Sequence, residues 1–349
     1  MAGADGAVIT YALGPKRSFA WVHTRESSRV VTLAGRKLIE DEVDAFRKLL
    51  GKPASALTAA RDAAAWTAQS KKLHTSLVAP LRSAIAGKTR LTIVPDGVLA
   101  QLPFEAIGGF IETHRIAYAP SASIAGALRK PAAERARTLL AMGDPLLPGA
   151  AAMAPVLERG YSFAPLPNAR GEVQSIGRLF PGGTTFLGER ASEERMKKEE
   201  LSSYRYPHFA AHGYFDGANP ERSGIVLALG GSDDGFLQAR EISKFELRAD
   251  LVTLSACQSG LGRVLDGEGV QGLSRAFFLA GARSVVVSLW NVNDAAASEL
   301  MRRFYSGLKA GLPKDEALRA AKLALRKEPR WRHPYYWAPF VLQGDPGSK

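Results

Sequence analysis

The run Leu251-Val252-Thr253-Leu254-Ser255-Ala256-Cys257 restricts the fold more than any other stretch of the chain. It is mostly apolar, too short for a typical helix and rich in β-favouring residues, so it reads as a strand buried on both faces. Such strands belong to parallel sheets, and parallel neighbours need crossover connections, usually helices. The sequence downstream supplies them. A Gly-rich loop leads to a helix over about Val270–Ala280 and a strand at Ser284–Trp290. Helices follow over about Ala295–Lys309 and Lys314–Lys327, then a last strand near Trp337–Gln343. This alternation predicts an α/β fold with a mostly parallel central sheet flanked by helices.

Upstream, short β-prone runs occur at Val8–Leu13, Phe19–Thr24 and Val30–Leu33, separated by turn residues. The period then changes. Ile39, Val43, Phe46 and Leu50 recur at helical spacing, and Leu73, Leu77, Leu81 and Ile85 extend that pattern across Pro80. Strands are expected at Leu91–Val94 and Arg115–Ala119. A second βα series opens with the strand Leu139–Met142, which divides the chain into an N-terminal half, 1–137, and a C-terminal half, 138–349. Residues 145–168 are rich in Pro and Ala and read as a long loop. Helices are expected over Glu172–Leu179 and about Ser192–Leu201. The strand His208-Phe209-Ala210-Ala211-His212-Gly213 then stops at glycine.

With 46% hydrophobic residues, the 349-residue chain can bury a substantial core. Its single cysteine excludes an internal disulfide framework and a Cys-based zinc cluster. No run is long and apolar enough to span a bilayer and no secretory leader is evident, so a cytoplasmic protein without a membrane partner is expected. The formal charge is +12, but the basic residues are scattered and alternate with Glu and Asp. Direct nucleic-acid binding is not expected.

Two reactive side chains stand where apolar strands end. In a parallel sheet the strand C-termini face one crevice, which brings His212 and Cys257 to the same edge. A thiol needs a base to become a nucleophile, and histidine serves near neutral pH. Gly213 lets a backbone N–H approach a substrate, where it could join that of Cys257 in an oxyanion hole. The residues alone also allow a blander reading, in which Cys257 is a small core residue. His208 lies four residues before His212, so strand alternation puts both on one face. Two short motifs carry less. Gly267-Glu268-Gly269-Val270-Gln271-Gly272 fits GxGxxG but does not follow its strand directly, and Ala86-Gly87-Lys88-Thr89 is half a P-loop placed before a strand.

The blocks AHGYF, SGIVLAL, LVTLSACQSGLG, GEGVQGLSRAFFLAGARSVVVSLWNVND and HPYYWAPFVLQG resemble the CHAT-domain family of caspase-like proteins. Upstream, LTIVPDGVLAQLPFEAI, RIAYAPSAS and LLAMGDP are similar to that family's earlier blocks. The resemblance implies a caspase-like protease half preceded by a degenerate pseudo-caspase half. It implies a cysteine endopeptidase with Cys257 as nucleophile, His212 as general base and acid, and Gly213 in the oxyanion hole, without cofactor or metal. Related separases place an acidic residue where Asp294 stands, to receive a basic P1 side chain; Asp266 and Glu268 add charge nearby. Asp294 also suits an N-cap for the helix starting at Ala295. A preference for aspartate would instead need a buried Arg, with Arg222 and Arg275 as candidates. The expected partners are a protein substrate and an activating sensor or helical-repeat protein, with latency until activation and, by analogy, a place in bacterial immunity or cell death. A caspase-like interaction module that does not cleave is the alternative.

Overall fold

The computed structural model describes residues 3–51, 59–128, 137–149, 152–153, 163–255 and 272–347. They pack as two compact units. Among the described residues the first takes 3–128 and 313–347, and the second takes 137–255 and 272–312.

The first unit begins with the antiparallel strands β1 (Gly6–Ala12), β2 (Ser18–His23) and β3 (Ser28–Leu33). On the other edge of β1, the strands β4 (Arg90–Val94) and β5 (Arg115–Tyr118) add in parallel, followed by the C-terminal strand Phe340–Gly344. Helix α1 (Arg36–Leu50) buries Ile39, Val43, Phe46 and Leu50, the stripe expected from their spacing. Helix α2 (Ala59–Leu73) does not continue to Ile85. It widens into a π-helical turn, His74–Val78, then a 3-10 turn, Ala79–Leu81. Pro80 has no N–H to donate and its ring crowds the preceding turn, which accounts for the break.

The C-terminal segment packs with this first unit, a return that a linear division at 137/138 does not express. Its helix Lys314–Lys327 buries Ala317, Leu318, Ala321 and Leu325. Two ion pairs secure it. Lys322 Nζ lies 2.7 Å from Glu105 Oε1, both almost wholly buried, and Arg90 Nε lies 2.7 Å from Asp315 Oδ2. The Tyr118 hydroxyl donates to Glu105 Oε2 at 2.6 Å and accepts from the Phe104 N–H at 2.8 Å. Burial, then the Glu105 charge, raises the Tyr118 pKa well above its ordinary value.

The second unit is built on five parallel strands. In chain order these are β6 (Arg137–Pro145), β7 (Thr184–Gly188), β8 (Tyr204–Ala210), then β12 (Val252–Leu254) and β13 (Ser284–Ser288). Their spatial order is β13-β12-β8-β6-β7. Between β8 and β12 the chain forms a small antiparallel sheet of β9 (Gly213–Tyr214), β10 (Gly224–Val226) and β11 (Phe236–Gln238). Helices α3 (Ala169–Leu179), α4 (Gly272–Leu279) and α5 (Asp294–Lys309) flank the parallel sheet. Leu300 and Phe304 of α5 are fully buried and Leu308 nearly so. The helix expected over Ser192–Leu201 is shorter, Glu193–Lys197, and a separate turn follows at Leu201–Ser203. Each unit therefore has the α/β character that the strand-and-helix alternation predicts.

Candidate active site

His208 and His212 differ sharply in surroundings. His208 lies within β8 and is fully buried, with Nε2 2.9 Å from Glu172 Oε1 of α3 and Nδ1 3.2 Å from the Tyr305 hydroxyl. That hydroxyl donates to Thr253 Oγ1 at 3.0 Å, and burial raises its pKa. His208 thus belongs to a polar network inside the core, where each member needs a partner.

His212 lies beyond the end of β8, in the step from the parallel sheet to β9, and is 7% exposed. Its carbonyl accepts the Val226 N–H at 2.7 Å. Because a trans peptide points its C=O and N–H in opposite directions, the Gly213 N–H is directed away from Val226. The ring of Phe163 meets the imidazole edge-on, with centroids 5.2 Å apart. The imidazole also hydrogen-bonds to the backbone of Ala164. Burial pushes the His212 pKa below its ordinary 6.5, against the opposing pull of that hydrogen bond and of the Asp294 charge. Burial thereby favours the neutral imidazole, the form that can accept a proton.

Asp294 is not the helix cap. The cap of α5 is Asn293, whose side chain accepts the Ala296 N–H at 3.0 Å. Asn and Asp are equally good caps, so the adjacent pair was ambiguous as sequence. The Asp294 carboxylate instead faces Asn168, taking its backbone N–H at 2.8 Å and its side-chain amide at 2.7 Å on Oδ2. One short stretch, 163–168, therefore touches both His212 and Asp294. Nothing in its sequence marks it, because it has no periodicity and its contacts are with residues distant along the chain.

Cys257, Asp266 and Glu268 lie outside the described residues, as does most of the GxGxxG motif. Arg222 and Arg275 are both exposed, so neither is the buried guanidinium that an aspartate-specific pocket requires. Among the described residues no group of three metal-ligating side chains is present, and no helix is long and apolar enough to cross a membrane.

The family model for the CHAT domain matches residues 67–345. The chain belongs to the CHAT domain family. Tetratricopeptide repeat protein 28 of mouse is 28% identical to this CHAT domain over 329 residues, covering 79% of the chain and 13% of that protein. The human protein of the same name is 29% identical over 330 residues, with the same coverage. The chain thus spans only a small part of the length of these relatives. Among solved structures, separase in the Saccharomyces cerevisiae separase–securin complex superposes with a TM-score of 0.60 at 10% identity. That superposition covers 98% of this CHAT domain and 30% of the other chain. The fold is therefore the caspase-like fold of separase, as the sequence blocks implied.

Proposed function

We propose that this CHAT domain is a cysteine endopeptidase with Cys257 and His212 as its dyad. The register of β12 on β8 carries the proposal: Thr253 lies opposite His208 and Leu254 opposite Phe209. In sequence, Cys257 follows Leu254 by as many residues as His212 follows Phe209, so each reactive residue comes shortly after one of two paired parallel strands. The depressed pKa of His212 supports its role as the base.

In this reading Cys257 Sγ attacks the scissile carbonyl carbon as its proton passes to His212. The Gly213 and Cys257 amides stabilise the oxyanion. His212 then protonates the leaving amine as the C–N bond breaks, leaving a thioester. Water, deprotonated by His212, hydrolyses the thioester and returns the thiol. Asp294 receives a basic P1 side chain and Asn168 orients its carboxylate, with Asp266 and Glu268 adding negative charge. The N-terminal half, 1–137, which has no cysteine, is the degenerate half in this reading. Latency in the cytoplasm until an activating partner binds, and a role in immunity or cell death, extend this reading by analogy.

Cleavage of a peptide library by the wild type and not by Cys257→Ala is the expected result. Equal cleavage by Cys257→Ala overturns it. A second reading, a binding module that does not cleave, draws on the relatives being named for tetratricopeptide repeats. It predicts capture of a helical-repeat protein that Cys257→Ala leaves unchanged, with no cleavage even when that protein is bound.

A further inference from the structure

The first unit contains a cavity of about 490 Å3 that peptide cleavage does not use. This lies within the size range of small-molecule sites. One wall is the π-helical turn at His74, where the Ala79 N–H donates to the His74 carbonyl. Such turns are rare and often occur at functional sites. Packed against it in the lining is the turn at Gly108, pinned by Ser70, whose hydroxyl donates to Ala106 O at 3.0 Å and accepts the Gly108 N–H at 2.8 Å. Gly108 has φ +57°, and a Cβ there would lie 2.4 Å from His74 Cδ2. Only glycine lets the imidazole seat against this turn.

Every ionisable side chain lining the cavity is basic: His74, Arg82, Lys88 and His114. Lys88 Nζ is engaged by the Ala4 carbonyl at 2.8 Å and Glu26 at 2.9 Å, which fixes it at the wall. Arg82 is exposed, and its guanidinium has no ion-pair or hydrogen-bond partner among the described residues. His114 Nδ1 shares a 2.7 Å hydrogen bond with Thr113 Oγ1, and its ring lies against Phe110, tilted by 47° with centroids 4.3 Å apart. The nearby Glu112 carboxylate is paired with Arg326. The rest of the lining is largely apolar, including Val78, Ile85 and Phe110. The half P-loop Ala86-Gly87-Lys88-Thr89, set aside as a nucleotide motif, contributes three of its residues to this wall.

We propose that this cavity binds a small organic anion with a flat apolar body, its head group on Arg82 and its body against Ile85 and Phe110. An unpaired guanidinium is the group best suited to a phosphate or carboxylate. No lining carboxylate opposes it, and the apolar wall adds contact area for an anion with an apolar body that a small inorganic anion cannot use.

Isothermal titration of the full chain with 1-naphthyl phosphate, 1-naphthoate and neutral 1-naphthol tests this. Either anion is expected to bind one-to-one and about tenfold or more tighter than the naphthol, with Arg82→Glu losing that advantage. The tighter of the two identifies the head group as phosphate or carboxylate. Ala86→Trp, a substitution at another exposed lining position, fills the cavity while keeping its charge and is expected to abolish binding. Circular dichroism checks that both variants fold, and Arg82→Gln serves if Arg82→Glu does not. Equal affinity for the naphthol, an unchanged Kd in a folded Arg82 variant, undiminished binding to folded Ala86→Trp, or no heat with either anion overturns the proposal.

Discussion

In the first unit the buried Lys322 meets Glu105 at 2.7 Å, and Tyr118 completes the carboxylate's hydrogen bonds. In the second unit His212 lies at a strand end, almost as buried, and among the described residues it meets the backbone of Ala164, the ring of Phe163 edge-on and the charge of Asp294. Both units are helix-flanked sheets with buried ionisable groups, and these two sites differ in kind: the Glu105 carboxylate is matched by a buried lysine, while His212 is a base left to accept a proton. A matched buried pair holds elements together. A buried imidazole without an ionic partner is held neutral instead, which is a chemical property more than a structural one.

The contrast is broken most severely at the matched pair. Lys322→Ala leaves Glu105 buried and uncompensated, so urea denaturation should show a loss of about 3–5 kcal/mol. Lys322→Met combined with Glu105→Gln should recover most of it, because neither charge then remains to be desolvated. At the poised base the expectation is reversed: His212→Ala should keep its circular dichroism spectrum and lose about 100-fold or more in kcat/KM. A comparable loss of fold in both variants would erase the distinction.

Two pH experiments sharpen it. The acidic limb of kcat/KM should fall below His212's ordinary 6.5, since burial holds its pKa down. Asp294→Asn removes the charge that raises it and should move that limb lower still. A second group behaves oppositely. Burial pushes the carboxyl of Glu193 from 4.5 up to about 7, despite Lys197 at 2.5 Å. Between these values the folded chain binds more protons than the unfolded chain, so this group makes stability fall as pH rises from about 4.5 to about 7. Glu193→Gln should flatten that slope in pH-dependent thermal melts. The smallest effect separates the cap from its neighbour: Asn293→Ala should cost about 1 kcal/mol of stability. Asp294→Ala also loses two hydrogen bonds to Asn168 and, unlike Asn293→Ala, should raise KM for substrates with a basic P1.

Much of the sheet was legible because burying a strand on both faces demands an unbroken apolar run, as at Leu251–Leu254, and because α1 shows its stripe at Ile39, Val43, Phe46 and Leu50. His212 was legible for the complementary reason, a reactive residue just where such a run stops. Helix ends were less so. The spacing of Leu73, Leu77 and Leu81 suggested one helix, while Pro80 imposed a π-helical turn and with it one wall of a cavity.

The sequence by itself determined which segments become strands and helices, and that the one thiol and a candidate base follow buried strands, because local apolar period and strand termination are properties of neighbouring residues. Tertiary structure alone decided that 313–347 returns to the first unit, that Ala164 meets His212 and that Asn168 holds Asp294. Those outcomes depend on packing and hydrogen bonds between residues far apart in the chain, which leave no periodic trace in it.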